Sequence, residues 1–181
     1  MFDNEMPMHG GFKCRHKPTL IYRLGDIEVF GASGALVTRT AVEGMDLIVN
    51  LTGTRKFKPA KIISAGAKWR ELKAVLMEGT PLDEMVLDWP DMGVLDAPRE
   101  FWVKFWELLN RDRVKRVLFF CVGGHGRTGS AIGCLATVAL NAHGGQIIRE
   151  IRDTYCKNAI ETRAQENYVR SMTVKKEKGV E

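Results

Sequence analysis

Short apolar runs broken by glycine fill the first half of the chain, and helical spacing fills the second. Leu20–Leu24 and Ile27–Phe30 are split by Gly25-Asp26, which predicts a β-hairpin or two edge strands. Gly31 to Gly34 reads as a turn. The β-branched run Met45–Leu51 predicts a buried strand, and residues 52–60 a polar, basic loop. Trp69, Leu72 and Leu76 recur at helical spacing, so a helix is expected from Ala67 to Met77, stopped by Gly79. Glu84–Trp89 predicts another short strand. Asp96 and Pro98 supply a helix start, as N-cap and first-turn proline. The helix they open carries Phe101, Phe105 and Leu108 on one face, with Trp102, Trp106 and Leu109 beside them. So wide an aromatic stripe predicts core.

Val114–Phe120 is the most hydrophobic run, and its last five residues suit a central parallel strand buried on both faces. A glycine-rich turn follows, then a small-residue helix from about Thr128 to Asn141, with Gly144-Gly145 as its stop. A further helix places Ile147, Ile148, Ile151 and Tyr155 inward. The last runs from about Thr162 into a charged tail. Strands alternating with helices predict an α/β fold: a central, mainly parallel sheet flanked by helices on both faces. Residues 19–173 are expected to form one domain, after a poorly ordered leader (1–18) and before the tail (174–181). There is no internal repeat.

With 181 residues, 45% hydrophobic and 27% charged, the chain is long enough for one sizeable core. Its 18 Gly and 6 Pro show no period, which excludes collagen-like and low-complexity classes. No apolar stretch approaches the ~18 residues of a membrane span. The N-terminus is acidic and lacks an apolar core, so no signal peptide is expected and a cytoplasmic location is. Cys14, Cys121, Cys134 and Cys156 include no Cys-x-x-Cys pair, so neither a disulfide framework nor a zinc signature is expected. Cys14 and His16 form a Cys-x-His pair with no second half, and no metal or cofactor is expected. Net charge is +5, unevenly placed. Arg55, Lys56, Lys58, Lys61, Lys68, Arg70 and Lys73 face one acid, Glu71, within residues 52–73. Such a segment attracts anions, but without interleaved aromatics or a known module, nucleic-acid binding is not expected.

The chemistry concentrates after the central strand, where ligands of such sheets bind. Cys121–Ser130 reads CVGGHGRTGS. Gly123, Gly124 and Gly126 let successive amides turn inward into an anion-binding nest. The helix that follows points its N-terminus at the same place. A cysteine so placed gives up its proton readily, and Arg127 offers a planar fork to two oxygens of a phosphate. The loop is suited to hold a tetrahedral oxyanion against a nucleophilic sulfur. No Gly-Lys-Ser/Thr step supports a nucleotide-binding P-loop instead.

This loop resembles the C-x5-R-[ST]-G signature of the cysteine-dependent protein tyrosine phosphatase superfamily. Trp89–Val94, WPDMGV, resembles the mobile WPD loop of that family, which would make Asp91 the general acid. It lies 30 residues before Cys121. Ile160–Val169 resembles the segment whose glutamine positions water, here Gln165. With Val49–Thr52, similar to an early strand of dual-specificity members, the likeness spans about residues 45–172. It implies that Cys121 is the nucleophile of a phosphocysteine intermediate. Val122, Gly123, Gly124, His125, Gly126 and Arg127 would bind the phosphate, Thr128 would support Cys121 as a leaving group, and no metal would be needed.

Two departures stand out. Phe120 occupies the place where the family usually has histidine before the cysteine. The phosphotyrosine-recognition segment of the larger tyrosine-specific enzymes is also absent, which points to a compact, dual-specificity-like enzyme acting on phosphorylated protein or another phosphomonoester. His125, a loop histidine that is either solvated or turned toward the pocket mouth, and the basic 52–73 segment leave open a phosphoinositide, nucleotide or RNA 5′-phosphatase. The missing histidine leaves open a phosphate-binding pseudophosphatase.

Overall fold

The structure, a computed structural model, describes residues 14–54, 56, 62–65 and 84–174. Among these residues six strands form one sheet: β1 (Thr19–Leu24), β2 (Ile27–Ser33), β3 (Leu47–Asn50), β4 (Ile62–Ala65), β5 (Glu84–Leu87) and β6 (Arg116–Cys121), in the order β1-β2-β6-β3-β5-β4. Only β1 is antiparallel to its neighbour. The expected hairpin is therefore present, and the most apolar run is the inner strand β6, hydrogen-bonded to β2 and β3. Parallel strands covered on both sides need apolar residues at every position. In β6, Val117, Phe119 and Cys121 join one core cluster, and Leu118 and Phe120 the other.

Among the described residues there are four α-helices: α1 (Arg99–Arg111), α2 (Gly126–Ala139), α3 (Gly144–Thr154) and α4 (Arg163–Ser171). All four pack into the first cluster. Among the described residues, the second face is covered by Val37, Val42 and Met45, on and beside two short 3₁₀ turns. The helix expected at 67–77 lies outside the described residues, as does most of the basic segment. On α1, Phe101, Trp102 and Phe105 form a ring cluster that reaches Phe119 of β6. The aromatic stripe is core, as its spacing predicts.

Several boundaries differ from expectation. Gly31 is not a turn residue but lies inside β2; a Cβ there would stand 2.7 Å from Ile21 and 3.2 Å from Thr128 and Ile132, so the glycine admits α2 onto the sheet. Residues 62–65 form a strand that the surrounding charge obscured. Asp96 does not cap α1; Pro98 holds the N-cap place without a side-chain bond. Gly144 and Gly145 do not end α2 but open α3, where the His143 ring accepts from the Gly145 amide. The leader is held from residue 14 onward: His16 N–H donates to Ser33 Oγ at 2.8 Å, and Ser33 N–H donates to the His16 carbonyl at 2.9 Å.

Helix α4 begins with a capping box. Thr162 Oγ1 accepts from the Gln165 amide, and Gln165 Oε1 accepts from the Thr162 amide. Thr162→Ala is expected to lower the unfolding free energy by about 1 kcal/mol. Urea unfolding checks this as a lower midpoint at unchanged slope.

Candidate active site

The C-terminal ends of β3, β5 and β6 converge on one place. Cys121 closes β6, its sulfur nearly buried. The chain then turns through Val122–His125 into α2. Gly124 has φ +78°, and a Cβ there would meet the backbone of Ala32 and Ser33 at 2.7 Å. Only glycine fits. Its amide donates to Cys121 Sγ at 3.3 Å, and Thr128 Oγ1 donates to the same sulfur at 3.1 Å. Both contacts are donors aimed at the sulfur.

Arg127, in the first turn of α2, is 7% exposed. Its Nη1 donates to the carbonyls of Leu51 and Trp89, each at 3.2 Å, which ties it to the chain just beyond β3 and β5. Its Nη2 stands 3.1 Å from Asp91 Oδ1. Its Nε is buried without a partner among the described residues. The arginine is thus held in place by backbone while keeping a donor in reserve.

Asp91 lies in a turn and is itself exposed, whereas Trp89 beside it is buried among Trp102 and Tyr168. The tryptophan anchors the loop: its Nε1 donates to the Gly93 carbonyl at 2.9 Å. The start of α4 holds the other side. Thr162 Oγ1 donates to the Met92 carbonyl, and Gln165 Nε2 donates to the Gly93 carbonyl at 3.3 Å. Gln165 is fully buried, its Oε1 engaged by the amides of Glu161 and Thr162. Cys121, Arg127, Thr128, Asp91 and Gln165, spread over 75 positions of sequence, therefore meet in one region.

His125 departs from its expected place. Its side chain is 2% exposed and turns away from the pocket mouth. It packs against Cys14, His16 and Cys156, with Nδ1 3.4 Å from Cys156 Sγ and Nε2 3.3 Å from the Cys14 carbonyl. Only its backbone is left for an anion in the loop. Behind the loop, Tyr155 donates to the Gly124 carbonyl at 2.7 Å, and burial raises its pKa well above the ordinary tyrosine range. Ser33 Oγ donates to the Gly123 carbonyl at 2.8 Å. Neither residue carries a sequence signal for this; both are identified only by their position. Phe120 lies on the opposite face of the sheet from Cys121. Cys134 is fully buried in α2, its thiol pKa pushed up by desolvation.

No protein-family model matches the chain. An uncharacterised protein of Methanocaldococcus jannaschii is 38% identical over 68 residues, which are 38% of this chain and 41% of that protein. Among solved structures, the active form of Tk-PTP superposes with a TM-score of 0.59 at 15% identity, covering 86% of this chain and 95% of that one. Human DUSP28 gives 0.52 at 13% identity, covering 86% and 93%. OH1 from the Orf virus, described as a tyrosine phosphatase with triple substrate specificity, gives 0.51 at 17%, covering 87% and 88%. These likenesses establish the fold: the chain has the compact architecture of the tyrosine and dual-specificity phosphatases. No helix among the described residues is long and apolar enough to cross a membrane.

Proposed function

We propose that the protein is a phosphomonoester hydrolase working through a phosphocysteine intermediate, with phosphotyrosine or dual-specificity phosphoprotein substrates. The observation that carries this reading is the convergence on Cys121. Its sulfur receives two hydrogen bonds within the loop, and Arg127 beside it reaches Asp91 from a separate segment.

In the first step Cys121 sulfur attacks phosphorus and forms the S–P bond. The P–O bond to the leaving group breaks, and Asp91 delivers its proton to the departing oxygen. Loop amides and Arg127 balance the charge spread over the three equatorial oxygens. In the second step water attacks phosphorus and gives its proton to Asp91. The S–P bond breaks, and the Thr128 hydroxyl hydrogen-bonds the sulfur that leaves as thiolate. Gln165 holds the acid loop through Gly93, and the second N–H of its amide is left to orient the water.

Asp91→Asn should lower kcat about 10²- to 10³-fold on an alkyl or tyrosyl phosphate, and less on an aryl phosphate with a good leaving group. Steady-state kinetics on the two substrates check both losses. Equal losses on both substrates would remove Asp91 from the acid role.

The burial of the His125 side chain weakens the phosphoinositide, nucleotide and RNA alternatives, because its ring does not reach an anion in the loop. The binding-only alternative rests on Phe120, and the intact Cys121, Arg127 and Asp91 favour turnover.

A further inference from the structure

The back of the phosphate loop holds a second cluster that the proposed reaction does not use. Cys14, His16, His125 and Cys156 bring one ligand atom each to within 4.8 Å of one another. Cys14 Sγ is 3.8 Å from Cys156 Sγ, and Cys156 Sγ is 3.4 Å from His125 Nδ1. With Zn–S of about 2.3 Å and Zn–N of about 2.0–2.1 Å, the ligand atoms of a tetrahedral zinc lie ~3.3–3.8 Å apart. The cluster already has nearly that spacing. We propose that these four side chains form a structural Cys₂His₂ zinc site that fastens the N-terminal strap to the back of the phosphate loop.

The surrounding bonds fit that role. His125 Nε2 lies 3.3 Å from the Cys14 carbonyl. Donation of its N–H there fixes the tautomer whose Nδ1 lone pair faces Cys156 Sγ at 3.4 Å, with Cys14 Sγ 4.0 Å from the same nitrogen, and a second ring nitrogen held by a backbone carbonyl is the usual arrangement of a metal-bound histidine. Asn158 Nδ2 lies 3.7 Å from Cys14 Sγ and can donate to it. His16 Nε2 is buried with no hydrogen-bond partner among the described residues. Two thiols and two imidazoles offer one another only weak hydrogen bonds. On binding, the thiols release two protons, the two imidazoles remain neutral, and the thiolate charges cancel that of Zn²⁺. A neutral complex carries little desolvation cost in this half-buried pocket. Two thiolates with two imidazoles select zinc over calcium or magnesium.

The sequence hides the site. Cys14 and His16 show half a signature, and Cys156 lies 142 residues beyond Cys14. The site joins three segments: the strap before β1, the loop between β6 and α2, and the residues just past α3. His125 belongs to both this cluster and the phosphate loop. Loop position is therefore coupled to metal occupancy, though no chemical step passes through the metal.

The test uses the full chain, reduced, stripped with chelator and dialysed against zinc chloride, with metal measured by emission spectrometry. About one zinc per chain is expected. Cobalt(II) in its place should show intense tetrahedral d–d bands and a sulfur-to-cobalt charge-transfer band. Zinc should raise the melting temperature of the wild type. Cys14→Ser and His16→Ala should each weaken zinc binding by more than the ~10- to 100-fold typical of an outer-shell change, and Cys134→Ala should leave it unchanged. The Cys14 and His16 variants lie on a terminal strap, and melting in chelator shows whether they fold. Three results would overturn the proposal: no zinc on the reduced wild type, equal binding in Cys14→Ser, or a Cys14–Cys156 disulfide whose reduction yields no cobalt spectrum.

Discussion

Cys121→Ser should reduce hydrolysis of a small aryl phosphate by at least ~10⁴-fold, to the level of the blank. A serine hydroxyl becomes a nucleophile only beside a general base. None is in place among the described residues. Both recorded partners of Cys121 Sγ, the Gly124 amide and the Thr128 hydroxyl, act as donors. The histidine nearest in sequence, His125, has its ring engaged with Cys14 and Cys156. Serine would therefore stay protonated and inert. The fold should survive, because the change replaces one small buried group by another. Inorganic phosphate should still raise the melting temperature of the variant, since the amides and Arg127 that would hold it remain. Single-turnover assays with both proteins check the loss. Residual activity within tenfold of wild type would exclude the sulfur as nucleophile.

Arg127→Lys should be nearly as damaging, with kcat/KM down by at least ~10³-fold although the charge is kept. The guanidinium uses its separate nitrogens in separate places. Nη1 binds the Leu51 and Trp89 carbonyls, Nη2 meets Asp91, and Nε remains for an oxyanion. A lysine ammonium is one point with three donors and cannot hold that spread. It must give up either the backbone anchors or the phosphate. Because the acid loop is tied to Arg127 at both Trp89 and Asp91, the substitution also loosens the acid. Steady-state kinetics separate the outcomes: loss of phosphate contacts raises KM and lowers kcat together, whereas loss of anchoring alone lowers kcat on poor leaving groups most. A variant within tenfold of wild type on both substrates would mean that simple charge suffices.

The core of this architecture was readable from short-range pattern. β6 announced itself by an unbroken apolar run, and α1 by its aromatic stripe, because each has a strong local period and buries most of what it shows. The loop from Cys121 to Arg127 was readable because its chemistry is contiguous. Other features were illegible for physical reasons. Gly31 and Gly144 look like breakers, yet each marks a close approach: at Gly31 of α2 to the sheet, at Gly144 of α3 to Val169 and Arg170. β4 is four residues set in basic surroundings, too short for a period to emerge. The burial of His125 is illegible because a loop side chain can face either side of its backbone, and residues 14–16, far away in sequence, decide which. The segment around Gln165 carries a legible motif, but the engagement of its side chain with Gly93 depends on where residues 89–94 lie.

Helix α2 is buried at every position from Gly126 to Val138, and it touches α1, α3, α4, β1, β2 and β6. Local opening needs few buried contacts, and this segment has the most to lose. Its backbone amides are therefore expected to exchange with solvent only when the whole domain comes apart, which native-state hydrogen exchange checks. The groups proposed to hold the phosphate therefore lie on a segment expected to melt with the whole domain, while Asp91 sits on an exposed turn held by a few side-chain bonds to Trp89, Thr162, Gln165 and Arg127. Heat would then not wear the catalytic centre down by degrees. The anion-binding half would persist until the domain unfolds cooperatively, and only the acid-bearing half could fluctuate below that temperature.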